Sequence, residues 1–326
     1  MQPSETFLDF IRSGDSFVVA GHKEPDGDCI GSQVALASVL RRMGKKVLLC
    51  SAGPFKRSEI IPHEHLFSKV HTEPGSYRCI VVDCSAPDRL GDDLEASLKG
   101  LPVAVVDHHT MGGYADEKLY PLLPRFIDIN APSTTYLIYM LIKALGMEPS
   151  KEEAELLFLG LCTDTGFFRH IDGGKPGAFE AAAALIALGA SPKGAHDAMY
   201  GGKSLGSRQL MGHILSKAES HYDGRLIVST ETLEETERYG LENRDSDTLY
   251  QLFSSIAGVQ AIVVIRQESP DNCTIGFRSR DTVDVRSIAA SFGGGGHYNA
   301  SGCSIKGRIG ELKPQVIQAF EASFTK

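Results

Sequence analysis

The sequence predicts an α/β chain: a mostly parallel, doubly wound N-terminal sheet followed by a smaller mixed α/β C-terminal domain. Three observations carry this. Short Val- and Ile-rich runs recur without polar alternation, as strands buried on both faces do. Helically spaced apolar segments separate them, which points to parallel strands joined by crossover helices. The length of 326 residues is about twice one typical core, so two domains fit the chain.

The strand runs are Phe17-Val-Val-Ala, Val47-Leu-Leu-Cys, Ile80-Val-Val-Asp, Val103-Ala-Val-Val-Asp and Phe126-Ile-Asp-Ile. Gly31 to Met43 reads as a helix with Val34, Leu36, Ala37, Val39 and Leu40 on its apolar face, and Gly44 ends it. Further helices are expected over Ser133 to Leu145 and Lys151 to Leu161. The texture changes near residue 200. Gly201-Gly202 precede a segment with Met211, Ile214, Leu215 and Ala218 on one face, expected as a connecting helix. Residues 225–230, 260–266 and 273–279 read as strands, Asp284 to Ala290 as a helix, and Gly293 to His297 as a loop that lets backbone approach a ligand. The domains expected are 1–195, a linker over 196–222 and 223–326.

Composition narrows the function classes. Apolar residues make up 42% and charged residues 23%, which excludes disordered and collagen-like chains. No apolar run approaches the ~20 residues of a membrane span, and the first residues are polar and acidic, so a cytoplasmic protein without membrane contact is expected. The net charge of -8 argues against tracking long nucleic acid. That acidity is uneven: residues 1–200 carry 19 basic and 26 acidic groups, whereas residues 257–326 carry 8 and 6. Seven cysteines with no C-x-x-C pair suit reduced, buried thiols.

In open α/β sheets ligands bind beyond the carboxyl ends of the strands. Here those positions hold His and Asp from four segments: His22, Asp26 and Asp28 after the first strand, Asp83 after the third, Asp107-His108-His109 after the fourth, and Asp164 at the end of the helix from Lys151. Carboxylates converging without paired cations repel strongly, and bound metal is the simplest resolution. Mixed imidazole and carboxylate donors suit Mn2+, and less strongly Mg2+, Zn2+ or Fe2+, and the ligands are too many for one ion. Two ions would activate water and clamp a phosphoryl oxygen. His63, His65 and His71 lack a partner cluster and read as solvated loop histidines, and any one residue of the four segments alone would also read as structural, Asp83 as a cap or turn residue. The conjunction of four segments reverses that. In the C-terminal part, Arg278 and Arg280 lie two apart on a strand, and Gly294, Gly295, Gly296 and His297 offer backbone N–H groups and a titratable ring to an anion. Arg169 and His170 are second-tier cleft candidates, and Glu231 to Glu237 reads as a solvated acidic face.

The segments GHKEPDGDCIGS, IVVDCSAPDRLG, VVDHHT and GLCTDTGFFR resemble successive motifs of the DHH phosphoesterase superfamily. FRSRDTVDVRSIAASFGGGGHYNASG is similar to its DHH-associated C-terminal domain, and the size points to the nano-RNase/pAp phosphatase (NrnA-like) branch. This resemblance implies one metal on His22, Asp26 and Asp83, a second on Asp28, Asp83, His108 and Asp164, and a bridging Asp83. Asp107 would orient a ligand histidine, and His109 would face the scissile phosphate. Thr110 stands where proline often follows the DHH triplet. The implied activity is Mn2+-dependent hydrolysis of di- to pentanucleotide RNA to mononucleotides, or of 3'-phosphoadenosine 5'-phosphate to AMP. Partners would be short RNA or small nucleotides, with a homo-oligomer possible. Alternatives are a linear or cyclic dinucleotide phosphodiesterase, a pyrophosphatase or polyphosphatase, and a non-catalytic nucleotide sensor.

Overall fold

A computed structural model of the chain describes residues 2–109, 123–280 and 283–324. It divides into two compact units, Met1–Gly201 and Gly202–Lys326.

The first unit runs α1 (Glu5–Arg12), β1 (Ser16–Ala20), α2 (Gly27–Arg42), β2 (Lys46–Cys50), β3 (Arg78–Val82), α3 (Asp92–Leu98), β4 (Val103–Asp107), β5 (Arg125–Ile127), α4 (Thr134–Ala144), α5 (Lys151–Asp164), α6 (Gly177–Ala187) and α7 (Pro192–Tyr200). Its five strands are all parallel, in the order β2-β1-β3-β4-β5. Both faces are covered. Phe17, Val19, Ile80, Val82, Ala104 and Val106 pack with the helical residues Leu36, Leu40, Leu141 and Leu157, while Val18, Ala20, Cys79, Val81 and Val105 pack with Leu94 and Leu98 of α3. Burial on both sides is why these strands lack polar alternation.

The order reverses at β1: the chain moves outward to β2, then returns to place β3 on the other side. That makes the β1/β3 carboxyl edge the topological switch point, where such sheets bind ligands. Antiparallel packing of α2 and α5 carries further groups to the same edge, because α2 begins there and α5 ends there. Their close approach depends on glycine. A Cβ on Gly31 would lie 2.7 Å from the Leu156 carbonyl oxygen, and one on Gly27 would lie 2.5 Å from the Thr163 side chain. Ser150 starts α5 with a capping box, its hydroxyl accepting from the Glu153 N–H while Glu153 accepts from the Ser150 N–H.

The second unit runs α8 (Leu205–Ser216), β6 (Glu219–His221), β7 (Leu226–Glu231), α9 (Leu233–Tyr239), α10 (Ser246–Ser254), β8 (Ala261–Ser269), β9 (Asn272–Ser279), α11 (Val285–Ser291), β10 (Gly295–His297), β11 (Ala300–Lys306), α12 (Ile309–Ala319) and α13 (Glu321–Phe324). Its sheet is mixed: order β10-β11-β9-β8-β7-β6, with only β7 and β8 parallel. One face packs Ile275 and Phe277 with Val285, Val316 and Phe320; the other packs Ile262 and Val264 with Leu210, Met211 and Ile214 of α8 and Leu249 and Phe253 of α10. The helix expected to connect the domains therefore shares the second unit's core, because its apolar face has that sheet to cover.

Two readings are corrected. Glu231 is fully buried, not solvated, because Arg244 Nε (2.6 Å) and Arg266 Nε (2.9 Å) neutralise it where β7 ends. The segment from Gly293 is not an open loop. Gly293 takes a left-handed conformation (φ +77) where α11 ends, and Gly295 to His297 form an edge strand paired with Ala300 to Gly302. Gly294 must lack a side chain, since its Cβ would lie 2.3 Å from the Gly302 carbonyl oxygen. Among the described residues no helix is long and apolar enough to cross a membrane.

Because Gly31 sits against backbone, Gly31→Ala should cost about 1–3 kcal/mol in urea unfolding despite its better helix propensity, and should weaken divalent-metal binding by moving α2 from α5. Unchanged stability together with unchanged affinity would show that the contact does not set the site.

Candidate metal centre

The residue that turns the chain at the end of β3 is Asp83, which has φ +56. A left-handed conformation is uncommon for a non-glycine residue, and Asp is among the few that tolerate it. Its carboxylate is buried and accepts from Thr134 Oγ1 at 2.9 Å. His22 leaves β1 with its Nδ1–H donating to the Lys23 carbonyl at 2.8 Å, so Nε2 points 3.3 Å from Asp83 Oδ2 and 4.0 Å from Asp26 Oδ1. Asp26 has two tasks. Its Oδ1 caps α2, accepting from the Asp28 and Cys29 N–H groups at 3.1 Å, and its second oxygen is left for another partner.

Asp28, only 1% exposed, is tied to the start of α4. Its Oδ1 accepts from the Thr135 N–H (2.8 Å) and hydroxyl (2.6 Å), and its Oδ2 accepts from the Thr134 N–H at 2.6 Å. The N-terminal end of a helix favours a carboxylate there. Asp164 has the opposite setting. As the last residue of α5 it adds negative charge to the negative end of the helix.

His108 joins these groups. Its Nδ1–H donates to the Ala131 carbonyl at 3.3 Å, while Nε2 lies 3.5 Å from Asp164 Oδ2, 3.8 Å from Asp83 Oδ1 and 3.9 Å from Asp28 Oδ2. That nitrogen is buried and has no hydrogen-bond partner among the described residues. Asp107 does not orient this ring, contrary to expectation. It is tucked under the loop and accepts from the His108 N–H (2.8 Å), the His109 N–H (3.1 Å) and His109 Nδ1 (2.8 Å), so it fixes the His109 ring.

The charges require a cation. Two like charges ~4 Å apart repel by about 4 kcal/mol at an effective dielectric of 20, and the ion pairs of Asp26, Asp28, Asp83 and Asp164 among the described residues are all with histidines. Burial, then Asp83 and Asp164, push the Asp28 carboxyl well above its ordinary value, and burial with Asp83 and Asp26 pushes Asp164 up to about 6 against the partial relief of His108. For His22, burial disfavours the charged ring, but Asp83 and Asp26 outweigh it and its pKa is raised. The Asp107 hydrogen bond raises His109 to about 9. Oxygen and imidazole donors meeting around an unpartnered buried nitrogen fit a divalent metal. His22, Cys29 and Asp83 form one such group, and Asp28, His108 and Asp164 another, with ligand atoms in each within 4.8 Å of one another.

Sequence reading missed two contributors. Thr134 and Thr135 each act through a backbone N–H and a hydroxyl, and the signal is three consecutive hydroxyl residues, Ser133 to Thr135, ahead of an apolar helix. Cys29 is a free, buried thiol, as the sequence leads one to expect. Its thiol is kept protonated by burial and its Sγ lies 3.6 Å from Gln33 Oε1. His63, His65 and His71 join no metal group among the described residues. Thr110 lies outside the described residues. His170 borders a cavity of about 430 Å³ beside His108 and Asp164, together with Tyr136, Asp128 and Ile171; Arg169 Nη2 lies 3.1 Å from His170 Nε2.

In the second unit, Arg278 on β9, Ala300 on β11 and His297 on β10 are in register, so the three side chains share one sheet face. Gly276, Gly302 and Gly295 form the neighbouring row. Gly295 and His297 are exposed. Arg280 follows the strand.

Comparison with known proteins matches the model described as the DHH family, N-terminal domain, over residues 16–161, and the DHHA1 domain over residues 223–326. A protein of Thermus thermophilus named bifunctional oligoribonuclease and PAP phosphatase NrnA is 29% identical over 315 residues, covering 94% of this chain and 90% of that protein. The Bacillus subtilis protein of the same name is 26% identical, covering 89% and 90%. An exopolyphosphatase-related protein from Bacteroides fragilis superposes with a TM-score of 0.79 at 22% identity over 99% of this chain and 97% of that one, a likeness of fold.

Proton linkage at this edge has a definite sign. In metal-free protein the folded-state pKa of Asp164 (about 6 against 3.8 ordinarily) and those of Asp28, His22 and His109 are raised, so the folded state binds more protons than the unfolded one. The Asp164 contribution is fully present below about 3.8 and lost as pH rises through about 6. Chelator-stripped protein should therefore gain thermal stability on going from about pH 7.5 to about pH 5.5, and the rise in Tm on adding Mn2+ should shrink over the same range. A Mn2+ effect independent of pH would count against these groups as ligands.

Proposed function

The chain belongs to the DHH family, with a DHHA1 domain in its second unit, and from that premise we propose a two-metal phosphoesterase acting in the cytoplasm. Its substrates would be short oligoribonucleotides, cut to mononucleotides, and 3'-phosphoadenosine 5'-phosphate, converted to AMP. The observation that carries this reading is His108 Nε2, buried and unpartnered among three carboxylates. His22, Asp26 and Asp83 would hold one ion and Asp28, Asp83, His108 and Asp164 the other, with Asp83 common to both. This hard donor set favours Mn2+, with Mg2+ as the alternative. When bound, such ions supply Lewis-acid stabilisation of phosphoryl charge and activate water.

The remaining work falls to the chain. Asp107 holds the His109 ring by accepting the Nδ1–H, and that hydrogen bond favours the charged form of the ring. His109 then offers the Nε2 proton to a phosphate oxygen or to the leaving oxygen. Arg278, Arg280, Gly294, Gly295, Gly296 and His297 would bind anionic groups of the substrate. Small substrates are supported by the names of the Thermus and Bacillus relatives and by the net charge of -8, and a cavity of about 430 Å³ beside His108 and Asp164 has room for a nucleoside.

Turnover with Mn2+ should be compared for pApA, 3'-phosphoadenosine 5'-phosphate, cyclic di-AMP and pyrophosphate. Hydrolysis of the first two is expected; hydrolysis of pyrophosphate alone would overturn the assignment. Asp83→Ala should lower kcat by about 10²–10³-fold or more and abolish metal binding by calorimetry. His297→Ala should mainly raise KM. Equal metal occupancy in wild type and Asp83→Ala would refute the shared-ligand role.

A further inference from the structure

Arg278 and Arg280 lie at the end of β9 in an acidic chain. Among the described residues neither forms an ion pair, whereas Arg244 and Arg266 in the same unit are committed to Glu231 and Glu268. Neutral groups hold them instead, and each arginine leans on α10. The Arg278 guanidinium lies over the ring of Tyr250, with Cζ 4.6 Å from the centroid, and its Nη1 donates to the Phe277 carbonyl at 2.9 Å. Arg280 Nη2 donates to the carbonyl of Ser254, the last residue of α10, where helix carbonyls lack intrahelical partners and the helix end is negative.

The sheet explains why α10 is well placed for this. On the face that carries Arg278, α8 and α10 cover Ile227, Ile262 and Val264, while Gly295 and His297 on β10 stay exposed. Tyr250 stands at the border. It is 6% exposed, and a Cβ on Gly276 would lie 2.1 Å from its hydroxyl oxygen and 3.3 Å from Cζ. Gly276 faces the same side as Arg278, two residues along β9. The missing side chain at 276 therefore makes room for the Tyr250 hydroxyl, and the seated ring gives Arg278 its platform.

We propose that α10 is the positioning element for the two arginines, with Tyr250 orienting Arg278 toward an anionic group of the substrate through a seat that Gly276 leaves open. This rests on the reading of Arg278 and Arg280 as substrate-binding residues. A cation held by a ring face keeps most of its N–H groups free for a phosphate, which a carboxylate partner would occupy.

The test uses full-length protein with Mn2+ and two probes: 3'-phosphoadenosine 5'-phosphate, which has a second phosphate, and bis(p-nitrophenyl) phosphate, which does not. Tyr250→Leu should raise KM for the first by about 3- to 30-fold, with kcat and hydrolysis of the second little changed. Tyr250→Phe, which keeps the ring, should restore KM toward the wild-type value. Gly276→Ala should raise KM by driving Cβ into the hydroxyl, and the double variant Gly276→Ala/Tyr250→Phe should recover it, which keeps the test decisive if Tyr250→Leu folds poorly. If Arg278→Ala raises KM but Tyr250→Leu and Gly276→Ala do not, the positioning role is wrong and the substrate-binding reading stands. If Arg278→Ala and Arg280→Ala both leave KM unchanged, the substrate-binding reading itself falls. Equal losses on both probes would mark Tyr250 as merely structural and overturn the proposal.

Discussion

Crowded negative charge is the constraint on which the N-terminal unit depends. Asp26, Asp28, Asp83 and Asp164 are gathered at one sheet edge with only histidines as charged partners among the described residues. Such a group cannot be fully ionised without a cation, yet the surrounding structure is built to keep it together. The N-terminus of α4 grips Asp28 through two backbone N–H groups and a hydroxyl, and Thr134 adds a bond to Asp83. Small residues let α2 and α5 touch, which brings the start of one helix and the end of the other to the same place. The helix dipoles divide the work: α4 stabilises Asp28 directly, whereas Asp164 at the end of α5 relies on whatever cation arrives.

Much of this was legible in the sequence for one reason. Strands buried on both faces read as unbroken apolar runs, so the polar residue that ends each run is conspicuous. Asp83, Asp107 and His108 were found that way, and parallel crossover topology then placed them on one edge. What escaped was chemistry done by backbone. Half of the bonds from Thr134 and Thr135 come from N–H groups that every residue but proline has, and only the hydroxyl-rich helix start marks the other half. The target of Asp107 also escaped, because choosing between two adjacent histidine rings requires the loop geometry.

The second unit was harder to read, for a physical reason as well. In a mixed sheet with helices on both sides, a charged residue at a strand end can turn inward, as Glu231 does between Arg244 and Arg266, and an acidic run conceals it. Glycine runs are ambiguous in the same way. In Gly293 to Gly296 the first closes a helix, the second slips against β11, and the last two lie in an edge strand, three uses of one missing side chain.

Asp83 shows how two demands can limit a position to a small alphabet. Its left-handed backbone admits Gly, Asn and Asp readily and little else. Its proposed role as a shared metal ligand would need a charged oxygen donor that reaches both sides of the cluster, which Gly and Asn lack. Glu would carry the charge but is a poorer fit to that backbone and one methylene longer. Conformation and ligation each leave a few candidates, and Asp is the residue they have in common. The aspartate at the end of β3 is therefore specified twice over, once by the turn it makes and once by the charge it bears.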